Sequence, residues 1–337
     1  MRNETRKLYS GYLQQIAQLN GVEDPTKKFS VTPSVQQTLE SKMQENSGFL
    51  GQINVMGVTD QMGEKLGLGV GGPIASNTDT SNKDRQTSDP TTLGKDGYHC
   101  RKNNSDTHLR YATLDQWAKF PDFQTRVRDA ILRRQALDRI MIGFNGTSYA
   151  ADSDKVSNPL LQDVNIGWLE KYRLNAAARV LSEVVNASGK VNVYAGGDYE
   201  NLDALVFDAV SNLIEPWYQE DTELVVVMGR KLLADKYFPL INTAQPATEK
   251  LATDLIVSQK RVGGLQAVRV PFVPDGTMMI TRLDNLSIYF QESSRRRHLE
   301  DNPKRDRIEN YESSNDDYVV EDYGCGCVIE NIDTTAP

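Results

Sequence analysis

"PDFQTRVRDAILRRQALDRIMIGFNG", residues 121–146, is the stretch from which the rest of the chain can be read. Phe123, Val127, Ile131, Leu137, Met141 and Phe144 fall on one face at helical spacing, while Arg126, Arg128, Arg133, Arg134 and Arg139 lie mostly elsewhere. Pro121 suits the first helical position and Asn145-Gly146 supplies a stop. The spacing therefore predicts one helix of roughly 24 residues, about 36 Å long, which can serve as a structural spine.

On the N-terminal side of this helix, residues 57–113 read as a two-stranded arm. The period is two through Ile53 and Val55, and "GEKLGLGVGGPIAS" (63–76) alternates Leu66, Leu68 and Val70 with glycines. The polar run 76–97 has Leu93 as its only sizeable apolar residue and cannot supply core, so it is an exposed loop or hairpin tip. Alternation resumes in "THLRYAT", with Leu109 and Tyr111 facing one way and His108 and Arg110 the other. Earlier still, Thr32 as N-cap and Pro33 at the first helical position open a helix with the stripe Val35, Leu39 and Met43. A first helix with Leu8, Tyr12, Ile16 and Leu19 on its apolar face stops at Asn20-Gly21. The polar linker "VEDPTKKFS" (22–30) follows, so the first helix reads as separable and the linker as open.

On the C-terminal side, after a loop around Asn158-Pro159, an α/β segment runs to about residue 276. It holds a helix with Leu202, Leu205, Ala209 and Leu213 inward, the buried-strand run "ELVVVMG" (223–229), and a helix "RKLLADKYF" (230–238) stopped by Pro239. Short strands follow at "LIVS" (255–258) and "AVRVP" (267–271), then "TMMIT" (277–281) and "LSIYFQ" (286–291). "DYVVEDYGCGCVIENI" (317–332) closes the fold with alternation, and the last five residues read as frayed. Between these strands lies "SRRRHLEDNPKRDRIENYES" (294–313), with six basic and five acidic side chains. A net charge of about one is too little for strong phosphate binding, and dense balanced charge suits a protein interface.

The 337 residues exceed what one hydrophobic core organises, which predicts two domains or one with large extensions. No apolar run approaches the roughly 20 residues that span a bilayer, and the N-terminus lacks the apolar stretch of a secretory signal, so a soluble protein without membrane association is expected. Three cysteines, Cys100, Cys325 and Cys327, are too few and too oddly spaced for a disulfide framework. A formal net charge of −8 argues against a protein that grips nucleic acid along its whole surface. Near DNA, such a chain would contain it.

Motifs with chemical meaning are few. "GLGVGG" (67–72) has dinucleotide-fingerprint spacing, but Pro73 and a polar loop follow where a helix N-terminus is needed, so it reads as a flexible strand of the arm. His99, Cys100 and His108 match no zinc spacing, and His298 has no nucleophile beside it. The thiols of Cys325 and Cys327 share a face and read as small buried residues. The acids in "EPWYQEDTE" and "DDYVVED" have no histidine or substrate platform, and no P-loop, zincin or nucleophile elbow occurs. No catalytic residue, cofactor or metal is assigned, which points to assembly.

Four blocks, "SNPLLQDVNIGWLEKYR", "GGDYENLDALVFDAVSNLIEPWYQEDTELVVVMGRKLLADKYFP", "SQKRVGGLQAVRVP" and "NPKRDRIENYESSNDDYVVEDY", resemble the major capsid proteins of temperate contractile-tailed phages of the Peduovirus type. The likeness runs from "MRNETR" almost to the end and weakens near 76–106. It implies the α+β capsid fold shared by tailed phages and herpesviruses: an N-arm at 30–56, an extended loop at 57–113, a peripheral domain at 114–162 and 277–332 with the spine helix, and an axial domain at 163–276. Residues 333–337 remain as a tail. It further implies an icosahedral shell of hexamers and pentamers around double-stranded DNA held by containment, with an internal scaffold, a maturation protease and a portal as partners. Assembly would take place in the bacterial host cytoplasm, and the localisation would be the virion capsid. Residues 1–29 would be lost at Phe29-Ser30. Neighbouring subunits would meet through Arg295, Arg296, Arg297, Glu300, Arg305, Arg307 and Glu309. Relatives cross-link through Lys, Asn and Glu; Lys65, Lys83 and Lys95 lie in the arm, but no such triad is matched here. Two other readings remain open: a nanocompartment shell of the same fold, and an α/β nucleotide-binding enzyme or hydrolase.

Overall fold

A computed structural model describes residues 1–65, 69–70, 75–87, 91–92, 97–120, 122–242 and 260–335. The chain divides into two compact units, one formed by 1–62, 99–167 and 287–318, the other by 63–98, 168–286 and 319–337.

The first unit contains helices α1 (Asn3–Asn20), α2 (Pro33–Glu45), α3 (Tyr111–Trp117) and α4 (Phe123–Asn145). The spine expected from the sequence is α4, and it ends where Asn145-Gly146 predicts; Pro121 lies outside the described residues. Gly146 allows the exit to press close: a Cβ there would collide with the carbonyl oxygen of Asn165, and one at Gly167 with those of Ile142 and Gly143. One assignment on α4 changes, because Arg139 is buried with the apolar face rather than directed away from it.

Helix α1 stops as expected at Gly21, whose positive φ of 63° closes the last turn. Its inward face differs from the expected one: Thr5, Tyr9, Tyr12, Ile16 and Asn20 are buried, whereas Leu8 is exposed and Leu19 is 59% exposed. The helix is not separable in this structure. Tyr9, Tyr12 and Ile16 join Tyr111, Leu114, Phe123, Val127, Ile131, Leu299 and Ile308 in one apolar cluster. The linker is not open throughout either, since Pro25 accepts a hydrogen bond from the Leu299 amide and Phe29–Ser30 forms a short strand.

The sheet of this unit runs in the order Phe29–Ser30, Arg296–Asn302, Arg307–Val320, Leu286–Gln291, Asn54–Val58. Its longest strand, Arg307–Val320, also pairs antiparallel with Thr107–Arg110 and Arg101–Asn104. The arm is therefore shorter than the expected 57–113. Met62–Glu64 pairs with Gly97–His99 and Gly69–Val70 with Thr91–Thr92, while 101–110 belongs to the sheet and Tyr111 starts a helix. Most of "GLGVGG" and Lys95 lie outside the described residues.

The second unit holds α5 (Trp168–Asn175), α6 (Leu202–Leu213) and α7 (Arg230–Asn242) with a six-stranded sheet. Val225–Met228, wholly buried as its apolar run predicts, lies parallel to Leu265–Arg269 and antiparallel to Met278–Thr281. Met278–Thr281 in turn pairs with Gly326–Ile329. Both of these strands fall in 277–332, the span expected to complete the spine domain, yet they share one core with Leu205, Val206, Val226 and Met228. Asn201 caps α6 by accepting from the Ala204 amide at 2.9 Å. Helix α7 passes through Pro239 instead of stopping there, because a proline removes one backbone hydrogen bond without preventing the turns on either side. The "LIVS" segment lies outside the described residues.

Candidate functional site

The charged stretch 294–313 folds as a hairpin. Arg296–Asn302 and Arg307–Val320 run antiparallel with Arg297 opposite Glu312 and Glu300 opposite Glu309, and Asp306, at φ 50°, follows the Pro303–Arg305 turn. Alternation sends Leu299 and Ile308 into the core of the first unit and leaves Arg296, Glu300 and Tyr311 on the outer face.

The three consecutive arginines meet three different fates. Arg295 is 2% exposed and fully engaged within its own chain: Nε donates to Glu312 Oε1 at 2.7 Å, Nη1 to Glu40 Oε1 at 2.9 Å, and Nη2 to Gln135 Oε1 at 2.9 Å. Arg297 is half-buried and donates to Asn310 Oδ1 at 2.7 Å and to the Tyr12 hydroxyl at 3.1 Å. Arg296 is exposed and makes no ion pair among the described residues. The expectation that all three meet a neighbour's acids is thus corrected for Arg295, whose charge is satisfied inside the fold.

Around Arg295 lies a buried ionic cluster that the sequence reading missed. Arg139 from α4 donates to both oxygens of Glu40 from α2 and approaches Asp316 at 3.4 Å, while Gln135 donates to Glu312 Oε2 at 3.0 Å. Burial alone would push the Glu312 carboxyl up, but the charges of Arg295 and Arg297 with the hydrogen bonds of Arg295 and Gln135 outweigh it and hold it at about 2. On α2 the expected stripe of Val35, Leu39 and Met43 is shifted: Gln36, Glu40 and Met43 are the buried residues, with Val35 and Leu39 only partly covered. The partners at 139, 295, 312 and 316 are brought together only by tertiary structure.

Arg307 and Glu309 pair with each other at 2.6 Å, and Glu309 also accepts from the Tyr311 hydroxyl at 2.5 Å. Arg305 and Glu300 are exposed and make no ion pair among the described residues. Phe29 and Ser30, far away in sequence, pair with Arg297 and Arg296, so the structure places the expected processing junction against the charged hairpin. On the hairpin's outer face, Lys28, Lys102, Arg296, His298, Glu300 and Tyr311 help to line an open groove of about 440 Å³.

The remaining candidates carry little chemistry. Cys325 and Cys327 are buried, and desolvation pushes each thiol up to about 12, far from the thiolate that reacts. Cys100 is buried and the His99 amide donates to Asp317 at 2.9 Å. Among the described residues, no group of three or more His, Cys, Asp and Glu side chains is arranged to hold a metal, and no helix is long and apolar enough to cross a membrane.

Comparison with known proteins supplies the rest. The family model described as phage major capsid protein, P2 family, matches residues 8–332. The sequence is 55% identical over 340 residues to the capsid proteins of Escherichia phage P2, covering 98% of this chain and 95% of that one. It is 42% identical over 344 residues to the major capsid protein of Serratia phage KSP20, covering 100% and 99%. Among solved structures, a chain of the satellite phage P4 procapsid that includes the size determination protein superposes with a TM-score of 0.84 at 53% identity, over 99% of both chains. A capsid of an empty GTA particle superposes with a TM-score of 0.51 at 15% identity, over 86% of this chain and 90% of that one, a likeness of fold alone.

Proposed function

This chain belongs to the P2 family of phage major capsid proteins, and from that premise we propose how it builds, fills and matures its shell. It is a major capsid protein with the α+β tailed-phage capsid fold, and its copies assemble into the head of a virion. The full-length match at 55% identity carries this conclusion. The shell is an icosahedral arrangement of hexamers and pentamers, assembled in the host cytoplasm on an internal scaffold and around a portal. It holds double-stranded DNA by containment, for which a net charge of −8 is suited, since such a surface does not grip phosphate. The role is structural, without catalysis. The unit with the spine helix acts as the peripheral domain and the unit with Val225–Met228 as the axial domain; residues 30–56 are the N-arm and the hairpin at 62–99 the extended loop.

Neighbouring subunits meet through the exposed members of the charged hairpin, Arg296, Glu300 and Arg305, with Arg297, Arg307, Glu309 and the buried Arg295 holding the hairpin's shape. Maturation removes residues 1–29 at Phe29-Ser30. That bond sits in a strand paired with Arg296 and Arg297, and the Val31 amide donates to the Arg295 carbonyl at 2.9 Å, so a protease reaches it only after this strand is released. Electron microscopy and intact mass measurement of particles made with scaffold and protease test the whole reading. Closed shells whose chains begin at Ser30 are expected; particles that retain Met1 overturn the processing step, and a chain that stays monomeric overturns the assembly.

A further inference from the structure

The groove on the outer face of the charged hairpin shares Arg296 and Glu300 with the proposed subunit interface and takes Lys28 from the segment that maturation removes, so it is complete in the unassembled, unprocessed chain. Three strands and the segment before Phe29 build it: Arg296, His298 and Glu300 come from one strand, Tyr311 and Ser313 from the next, Lys102 and Asn104 from the third, and Lys28 from beside Phe29. Pairing of Arg296 with Ser313, and of Ser313 with Asn104, aligns these strands so that cations stand on both sides. Lys28, Lys102 and Arg296 are all exposed, and none pairs with an acid among the described residues. Between them the rings of His298 and Tyr311 stack, 5.7 Å apart and 20° from parallel. The Tyr311 hydroxyl donates to Glu309, which fixes the ring while leaving the side chain 41% exposed. Glu300 and Asp106 are the exposed acids of the groove's wall, Asp106 accepting from the Glu312 amide at 3.1 Å; the Glu312 carboxylate is engaged in the buried cluster.

We propose that this groove is a docking site for an acidic peptide segment of another polypeptide. Three cations with no acid partner among the described residues, set about a ring platform and outnumbering the groove's two exposed acids, make a locally positive patch in a molecule whose net charge is −8, and such a patch attracts carboxylates. A peptide places its carboxylates at separate points, so it can meet Lys28, Lys102 and Arg296 while passing Glu300 and Asp106. A nucleic-acid backbone carries charge continuously, about one per 1.7 Å of duplex, and would be repelled where Glu300 and Asp106 interrupt the wall. An extended chain laid over the stacked rings also gains contact area without any apolar pocket.

Fluorescence anisotropy with the full-length, unassembled chain tests this, using a labelled twelve-residue peptide of alternating Glu and Ser and, separately, a labelled DNA duplex of equal charge. The peptide should bind in low salt, and the triple variant Lys28→Ala, Lys102→Ala, Arg296→Ala should weaken it at least tenfold, with the thermal melt unchanged. Lys119→Ala, an exposed cation elsewhere, should leave binding as it was. Peptide binding that the triple variant does not weaken, absence of peptide binding, or tighter binding of the duplex through the same three residues would each overturn the proposal. Shell formation is read separately by electron microscopy, so failure here leaves the assembly reading standing.

Discussion

Glu312 meets two arginines, and that arrangement ties its ionisation to folding. Its folded value is held at about 2 against an ordinary value of 4.5, so the ionised form is favoured by folding. The associated stability is therefore fully present above pH 4.5 and is lost as the pH falls from there through about 2. A shift of that size corresponds to about 3 kcal/mol, so urea midpoints should drop across this acid window, and Glu312→Gln should flatten the dependence. The cluster also predicts an asymmetry between kinds of substitution. Arg295→Met leaves Glu40 and Glu312 without their shared cation and should cost about 3–5 kcal/mol by urea unfolding. Arg305→Met, at an exposed position without an ion pair among the described residues, should stay within about 0.5 kcal/mol of the parent. At this scale the sequence conveyed composition but not pairing: residues 40, 139, 295, 312 and 316 share no local pattern, and three adjacent arginines gave no sign that one is a core residue.

Elements were more legible than residues, and the misses have a common cause. Helix α1 offers two interleaved stripes, Leu8-Tyr12-Ile16-Leu19 and Thr5-Tyr9-Tyr12-Ile16-Asn20, which share Tyr12 and Ile16. Hydropathy favours the leucines; the surface formed by Leu114, Phe123, Val127, Ile131 and Leu299 accepts the tyrosines instead. Tertiary packing decides between faces that periodicity leaves nearly equal. Likewise "THLRYAT" alternates as a strand should, but it joins a sheet because Arg307–Val320 is long enough to take two further partners. The ends of α1 and α4 both fall at Asn-Gly pairs, but for different reasons: Gly21 takes the left-handed conformation that closes the last turn, whereas Gly146, at φ −65°, leaves room for the Asn165 carbonyl. Replacing Tyr12 by Ala should detach α1, with a loss of about 3–5 kcal/mol and faster hydrogen exchange over 3–20, because it removes buried ring and hydroxyl together. At the other end of α4, Gly146→Ala and Gly167→Ala each drive a methyl into backbone carbonyls that cannot step aside. Each should cost about 1–3 kcal/mol or more, read as a lowered melting temperature.

For the whole molecule, the balance of charge along 294–313 is what separated assembly from polyanion binding, and the folded hairpin sharpens that distinction. Of the six basic residues there, Arg295 is consumed by the buried cluster, Arg297 by Tyr12 and Asn310, and Arg307 by Glu309, so Arg296, Lys304 and Arg305 remain exposed. That the chain forms two units follows from its length and from the α/β segment after the Asn158-Pro159 loop, but the contribution of 278–281 and 326–329 to the second sheet was not legible, since a strand's sequence does not name its sheet. Arg305 sits at the hairpin turn beside Asp306, whose carbonyl accepts from the Tyr111 amide at 2.9 Å, so the turn is anchored while its side chains are free. An exposed ion pair contributes under about 1 kcal/mol in one subunit, but in a closed shell the same contact recurs at every copy and a like-charge contact is penalised each time. Arg305→Glu should therefore leave the monomer's melt and circular dichroism unchanged while shells, counted by electron microscopy after assembly with scaffold, become scarce or misshapen. Raising salt should lessen the difference, because screening weakens the repulsion. Normal shells from Arg305→Glu at low salt would exclude the hairpin turn from the subunit interface, and loss of DNA from otherwise normal shells would return the polyanion reading to favour.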